Sequence, residues 1–418
     1  MTRPDLVRQI RAAVDVETVV GLTRDLVRIR SENPPGRETE VVAHLRERAP
    51  DLGLAATVVE TAPGRQNLLL TTGSRPGKPV LLVNGHLDTV PVRPAAWRHD
   101  PFGGEVTDGR LYGRGSADMK GGVAAALTGW QVCRSLGLEL PCELVFHLVA
   151  DEELGGAQGT AALVARDLVH ADACLDPEPT GLKLCLAERG LMFATVTTSG
   201  VPAHGSEPAN GRSAIISAAA IAQVLHDNEF PQTPHPLLGT TTCNVGTIRG
   251  GSGPNVVPEE CRLEIDRRIL PGESRAIAVQ GIVDRIASLG LARGTDYDLQ
   301  VDTFCEPSEI SPGHPFVGFV ADTFTAMTGR APGTTGLPFT TDARFMRNQL
   351  GIPSVVFGPG DLAVAHTVDE YVEVDALVTA VGVYAGLFAG FAGTRPMTDN
   401  AAGGSSADTA VEGVPSAR

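Results

Sequence analysis

No run of about 18 apolar residues occurs anywhere in the sequence, which excludes a membrane-spanning helix. The start, Met1-Thr2-Arg3-Pro4-Asp5, lacks the apolar stretch of a secretory signal. Basic residues are in deficit: 34 Lys and Arg stand against 49 Asp and Glu, a net charge of −15. That balance argues against nucleic acid or an anionic membrane surface as partner. There is no CxxC, and the seven cysteines are scattered and odd in number, so reduced thiols and a cytoplasmic location are expected. No internal repeat is evident. What remains is ordinary for a soluble globular chain: 42% hydrophobic and 20% charged residues over 418 positions, enough for about two domains.

The chain is organised around Val80–Gly122. Val80-Leu81-Leu82-Val83, bracketed by Pro79 and Gly85, reads as a buried strand of a parallel sheet. His86 and Asp88 follow at its carboxyl end, where open α/β sheets collect ligands. Two residues apart in an extended segment, they point the same way. The Asp88 carboxylate can then accept a proton from one imidazole nitrogen of His86 and leave the other nitrogen free for a metal. Gly113–Gly122 is a glycine-rich turn holding Asp118 just before an apolar helix at about 121–136. Further strands are expected at 55–59, 67–72, 142–149 and 173–175, with helices over 5–31, 39–52 and 159–168 between them. Acids recur at the strand ends: Asp151-Glu152-Glu153 after one strand, Asp176-Pro177-Glu178 after another.

From about Glu188 the pattern changes. Strands at 191–198, 241–248, 261–269 and 297–304 alternate with helices at 213–225 and 274–289, the β-α-β-β-α-β order of a ferredoxin-like unit. Helices at 315–328, 341–350 and 374–391 and a buried strand at 354–357 then return to the first pattern. The expected organisation is a catalytic α/β domain (1–188 and 304–393) with a mixed, largely parallel sheet flanked by helices. A ferredoxin-like α+β dimerisation (lid) domain is inserted at 189–303, and a disordered tail follows at 394–418.

His86, Asp118, Glu152, Glu153, Glu178 and His366 all fall after strands of one sheet. One histidine and one terminal carboxylate per ion, with a bridging carboxylate, suits two Zn²⁺ or Co²⁺. Each of these residues alone is as well explained as a solvated loop acid or a helix cap; together on one sheet edge they are not.

HLDTVP at 86–91, GRGSADMKGG at 113–122, DEELGG at 151–156, DPEPT at 176–180, GVPAHGSEPANGRSAI at 200–215 and AHTVDEYV at 365–372 are collinear. Together they resemble the zinc metallopeptidase family of acetylornithine deacetylase, succinyl-diaminopimelate desuccinylase, carboxypeptidase G and aminoacylase. The resemblance implies hydrolysis of the amide bond of an N-acyl amino acid or short peptide. A metal-dependent dipeptidase or carboxypeptidase is the alternative, and a non-catalytic amino-acid-binding module a more distant one. It also implies roles. His86, Asp118 and Glu178 would hold one metal, and Asp118, Glu153 and His366 the other. Asp88 would support His86, and Glu152 would be the general base. Asp176 competes with Glu178 for the ligand position, and the EPT spelling favours Glu178. A cis bond is implied at Asp118–Met119. Asn255 and Arg268 would clamp the substrate carboxylate. A homodimer would send His204 of each subunit into the other's site as an oxyanion donor.

Overall fold

The computed structural model describes residues 3–74, 76–226, 230, 232–290 and 296–393. The tail expected from 394 lies outside them.

A nine-stranded mixed sheet forms the frame. Its order along the main path is Ala55–Ala62, Arg65–Thr71, Glu143–Val149, Val80–His86, Ala173–Asp176, Ser354–Val356, Leu184–Glu188 and Ser308–Glu309, with Thr334–Leu337 pairing alongside Leu184–Glu188. The centre is parallel: Val80–His86 lies between Glu143–Val149 and Ala173–Asp176, both running the same way, and Ser354–Val356 continues parallel to the latter. A strand covered on both faces should be a continuous apolar run, and Val80–Val83 is one; from Leu81 to His86 every residue is buried. The helices Lys120–Ser135 and Val374–Gly390 pack on the sheet through Leu127, Val381, Tyr384 and Phe388, all fully buried. At their crossing Gly129 meets the Tyr384 Cβ and the main chain of Val381 and Ala385, a close approach that only glycine allows without displacement.

The second sheet has four antiparallel strands in the order Thr242–Gly250, Glu260–Ile269, Gly190–Ser199 and Tyr297–Cys305. With the helices Ala214–Leu225 and Arg275–Ala287 this is the ferredoxin-like arrangement. It buries a core of its own, built on Met192, Ala194, Val196, Ile221, Leu263, Ile265 and Ile282. In Glu260–Ile269 the alternation is strict, with Cys261, Leu263, Ile265, Arg267 and Ile269 inward. Arg267 is wholly buried because its guanidinium is paired with Glu273 and lies 4.0 Å above the Phe230 ring. Ser213 and Ser274 cap the two helices through Ile216 N and Ile277 N.

Three sequence expectations need correction. The helix expected over 5–31 is two helices, Arg3–Ala13 and Val16–Arg28. Asp15 separates them by accepting from the Thr18 amide at 3.0 Å, so a local cap overrides the continuing apolar pattern. The helix expected over 341–350 begins only at Ala343 and runs from Phe345 to Leu350 as a wide π-type turn. The short strands Leu184–Glu188, Ser308–Glu309 and Thr334–Leu337, and a small sheet of Tyr371–Glu373, Arg110–Tyr112 and Val106–Thr107, were not anticipated. Strands of two to five residues carry too little periodicity to be read.

Candidate metal centre

The carboxyl ends of the central strands converge on Asp118. His86 is the last residue of its strand, and its Nε2 lies 3.1 Å from Asp118 Oδ1 and 3.6 Å from Glu178 Oε1. The other oxygen, Asp118 Oδ2, lies 3.2 Å from His366 Nε2, and Glu153 Oε2 is 3.0 Å from that same nitrogen. One carboxylate thus faces two imidazoles, each of which has a second carboxylate beside it. Glu152 joins His86 and Glu178 in a set whose donor atoms lie within 4.8 Å of one another, and His86, Asp118 and Glu153 form a second such set. Asp176 ends its strand behind this cluster, buried, with one carboxylate oxygen lacking a hydrogen-bond partner. Glu178, not Asp176, is the one that reaches His86.

Close backbone packing brings these loops together. A Cβ at Gly122 would collide with the Pro177 carbonyl, and one at Gly360 with the Ala117 carbonyl. The glycines therefore allow the turn of Asp118, the loop of Glu178 and the loop leading to His366 to touch main chain to main chain. The Asp118–Met119 peptide is cis, as the family resemblance implied.

Asp88 does not act quite as expected. The His86 Nδ1–H donates to the main-chain carbonyl of Asp88 at 2.9 Å, while the Asp88 carboxylate is 3.6 Å away. That carboxylate instead accepts from Glu152 N at 3.2 Å, Glu153 N at 3.3 Å and Asn33 Nδ2 at 2.9 Å. Hydrogen bonding to a turn of the acidic loop takes precedence over the imidazole, and the ring tautomer is fixed all the same. Asn33 Nδ2 also reaches Asp151 Oδ1 at 3.1 Å, and Arg65 ties Asp151 to Glu38 with two contacts of 2.8 Å.

A second support was not foreseen. Glu370 is fully buried and accepts from the amides of Ala117 at 2.9 Å and Asp118 at 3.2 Å, while its other oxygen pairs with the buried Arg114. The AHTVDEYV stretch held this signal: a charged residue four positions after His366, in a segment that turns inward.

The electrostatics are those of a site short of positive charge. Burial pushes Glu178 and Glu152 well above the ordinary carboxyl value, and neighbouring carboxylates, among them Asp118 for Glu178 and Asp342 for Glu152, add to it. Glu153 is raised for the same two reasons. Against its own burial, Asp118 is held well below the usual range by hydrogen bonds from His366 and His86. The His366 imidazole is raised to about 10, first by its hydrogen bond to Asp118 and then by that to Glu153. Divalent cations would relieve this repulsion, and the histidine–carboxylate donor set suits zinc-like ions, so the residues fit a pair of metals.

The cluster forms one wall of a cavity of about 650 Å³. Its other walls come from both sheets and include Leu191, Phe193 and Arg268 of the second. Arg268 faces Asp266 at 3.1 Å. His204 and Asn255 do not line the cavity. They sit together on an exposed face of the second domain, where Gly205 N donates to Asn255 O at 2.8 Å and His204 bridges to Val256.

An α/β catalytic frame, a ferredoxin-like insert and a carboxylate set between two histidines define an amide hydrolase of the metallopeptidase class. The chain belongs to peptidase family M20/M25/M40, whose model matches residues 82–389. It is 35% identical over 342 residues to an acetylornithine deacetylase of Myxococcus xanthus, covering 77% of this chain and 83% of that one. It is 31% identical over 377 residues to a succinyl-diaminopimelate desuccinylase of Cereibacter sphaeroides, covering 87% and 96%. A tripeptidase of Staphylococcus aureus superposes with a TM-score of 0.75 at 24% identity, covering 90% of this chain and 98% of that one.

Proposed function

We propose that the protein is a dinuclear zinc hydrolase, with cobalt a competent substitute, that cleaves the amide bond of N-acyl amino acids. The observation that carries the reading is Asp118, whose two oxygens face His86 and His366 at 3.1 and 3.2 Å. In it, His86, Asp118 and Glu178 hold one ion, and Asp118, Glu153 and His366 the other. The ions, when bound, polarise the scissile carbonyl and lower the pKa of the attacking water. Glu152 takes the proton of that water and returns it to the leaving amine. Asp88 holds the peptide of Glu152 in place through the 3.2 Å contact. Arg268, on the cavity wall, binds the substrate α-carboxylate, a task for which a guanidinium fork is suited.

The same reading makes the segment 189–303 a lid and dimerisation domain. Ile216 is 70% exposed and Ile248 50% exposed; the latter sits on Thr242–Gly250, an edge strand of the smaller sheet. A symmetric pair joined there would cover both and carry His204 and Asn255 toward the partner's cavity. Zinc as the native metal and a cytoplasmic location complete the proposal. Among the described residues no helix is long and apolar enough to cross a membrane.

The test is hydrolysis of a panel of N-acyl amino acids and dipeptides by metal-loaded and chelator-treated protein. Metal-dependent release of free amine from N-acyl amino acids is expected. Glu152→Gln should keep its metal and lose at least about a hundredfold in kcat. Retention of more than about a tenth of the wild-type kcat overturns the base assignment.

A further inference from the structure

The apolar lining of the cavity carries an inference about the substrate that rests on this reading. Leu154, Leu191, Phe193, Pro338, Phe339 and Leu362 line it, contributed by both domains. Leu154 is 59% exposed and Phe193 42%, large apolar side chains left open toward the site. Apolar surface held open in a concave site marks where an apolar ligand group is to be buried.

The charged groups are just as restrictive. Among the described residues lining the cavity, the carboxylates are Asp118, Glu152, Glu153 and Glu178, every one of them in the cluster beside His86 and His366. None is left over to pair with an ammonium on a substrate side chain or with a free α-amine. Among the same described residues Arg268 is the one guanidinium or ammonium, and Asp266 already faces it at 3.1 Å. It can answer one carboxylate; a substrate side chain with a second meets no further guanidinium or ammonium among the described lining residues. Burying an unpaired charge is costly, whereas an alkyl or aryl group gains from the same wall.

We infer that the preferred substrates are N-acyl amino acids with a single carboxylate and an apolar side chain, such as methionine, leucine or phenylalanine. Acylated ornithine, N-succinyl-diaminopimelate and peptides with a free amine are then poor substrates. Leu154, Phe193 and Phe339 set this preference by contact with the substrate's apolar group.

The experiment compares kcat/KM of the zinc-loaded full chain for N-acetyl-L-methionine, N-acetylglycine, N-acetyl-L-ornithine and N-succinyl-LL-diaminopimelate. N-acetyl-L-methionine should exceed both charged substrates by at least about tenfold. Phe193→Ala, at an exposed position, should lower kcat/KM for N-acetyl-L-methionine by about tenfold while changing that for N-acetylglycine less than about twofold. Leu154→Ala provides the same comparison at a second exposed site. A higher kcat/KM for either charged substrate overturns the inference and leaves the amide hydrolase standing. So does an equal loss on methionine and glycine substrates in both variants. Hydrolysis of none of the panel defeats the function itself, and the inference with it.

Discussion

Glu370 anchors the peptide of Asp118, and its removal should be measurable in separable parts. Its carboxylate pairs with Arg114, which is 4% exposed, and also accepts the amides of Ala117 and Asp118. Glu370→Gln keeps an acceptor for the two amides but strands the buried guanidinium, a loss of about 3–5 kcal/mol. Glu370→Leu orphans both amides as well, each about 1–3 kcal/mol, so it should lie at least about 2 kcal/mol below the glutamine variant. Adding Arg114→Met to Glu370→Leu removes the stranded charge and should recover most of the first figure. Urea unfolding followed by tryptophan fluorescence reads the correct domain. The protein has two tryptophans, Trp97 and Trp130, both in the catalytic part, and Arg114 lies 5.2 Å from the Trp97 ring centre. Burial raises the Glu370 carboxyl to about 7, against the pull of Arg114. The wild-type group is therefore ionised at pH 8 and largely neutral at pH 6. The unfolded carboxyl titrates lower, near 4.5, so wild type loses stability relative to the glutamine variant as pH rises toward 7; the glutamine penalty should be smallest at pH 8 and grow as pH falls through 7. Zinc stoichiometry should fall in the leucine variant more than in the glutamine variant. If glutamine and leucine variants both stay within about 1 kcal/mol of wild type at pH 5 as well as at pH 8, the anchoring argument is wrong.

His204→Ala and Glu152→Gln proteins, each inactive, should regain activity when subunits are exchanged, because one site of each heterodimer then has both native residues. Heterodimers that form and remain inactive rule out action across the interface. Arg268→Lys should raise KM for N-acyl amino acids while leaving zinc content unchanged; an unaltered KM removes Arg268 from carboxylate binding. Burial lowers His147 to about 4, so its imidazole stays neutral in the fold at pH values where the unfolded chain takes up a proton. Stability from this source is complete above about 6.5 and lost as pH falls from there toward 4, by up to about 3 kcal/mol. His147→Leu should lose less stability than wild type between pH 7 and 4, measured by urea midpoints; parallel pH profiles would contradict it.

The central strand was readable because Val80–Val83 is apolar without interruption, and the candidate ligands His86, Glu153 and Glu178 because each lies at or within four residues of a strand's carboxyl end, whereas Asp118 and His366 sit in longer loops. The ferredoxin-like insert was readable for a related reason: its strands are nine or ten residues long and alternate clearly. What was not readable depends on contacts between distant segments. The AHTVDEYV stretch offers a charged residue in a segment that turns inward, but not its partners, the amides of Ala117 and Asp118 some 250 positions away. Asn33, in an Asn-Pro-Pro-Gly turn, reads as a helix breaker, yet its amide holds Asp88 and Asp151 together. Asp88 itself was assigned to the imidazole from local geometry and from the family resemblance, and main-chain donors of the Glu152–Glu153 loop claimed its carboxylate.

Ser354–Val356 occupies an interior place in the large sheet, between Ala173–Asp176 and Leu184–Glu188. It leaves the ribosome after the whole insert. His366 and Glu370 follow it, about 190 residues behind Glu178, which at ordinary rates of synthesis is about 10–40 s later. A nascent chain in that interval carries His86, Asp118 and Glu178 at the open edge of an unfinished sheet. It lacks the second histidine and the acid that fixes the Asp118 peptide. On the proposed assignment, a product truncated in the insert would carry His86, Asp118, Glu153 and Glu178 but not His366, so the second ion would lack one of its three ligands until the segment after Ser354–Val356 has been made.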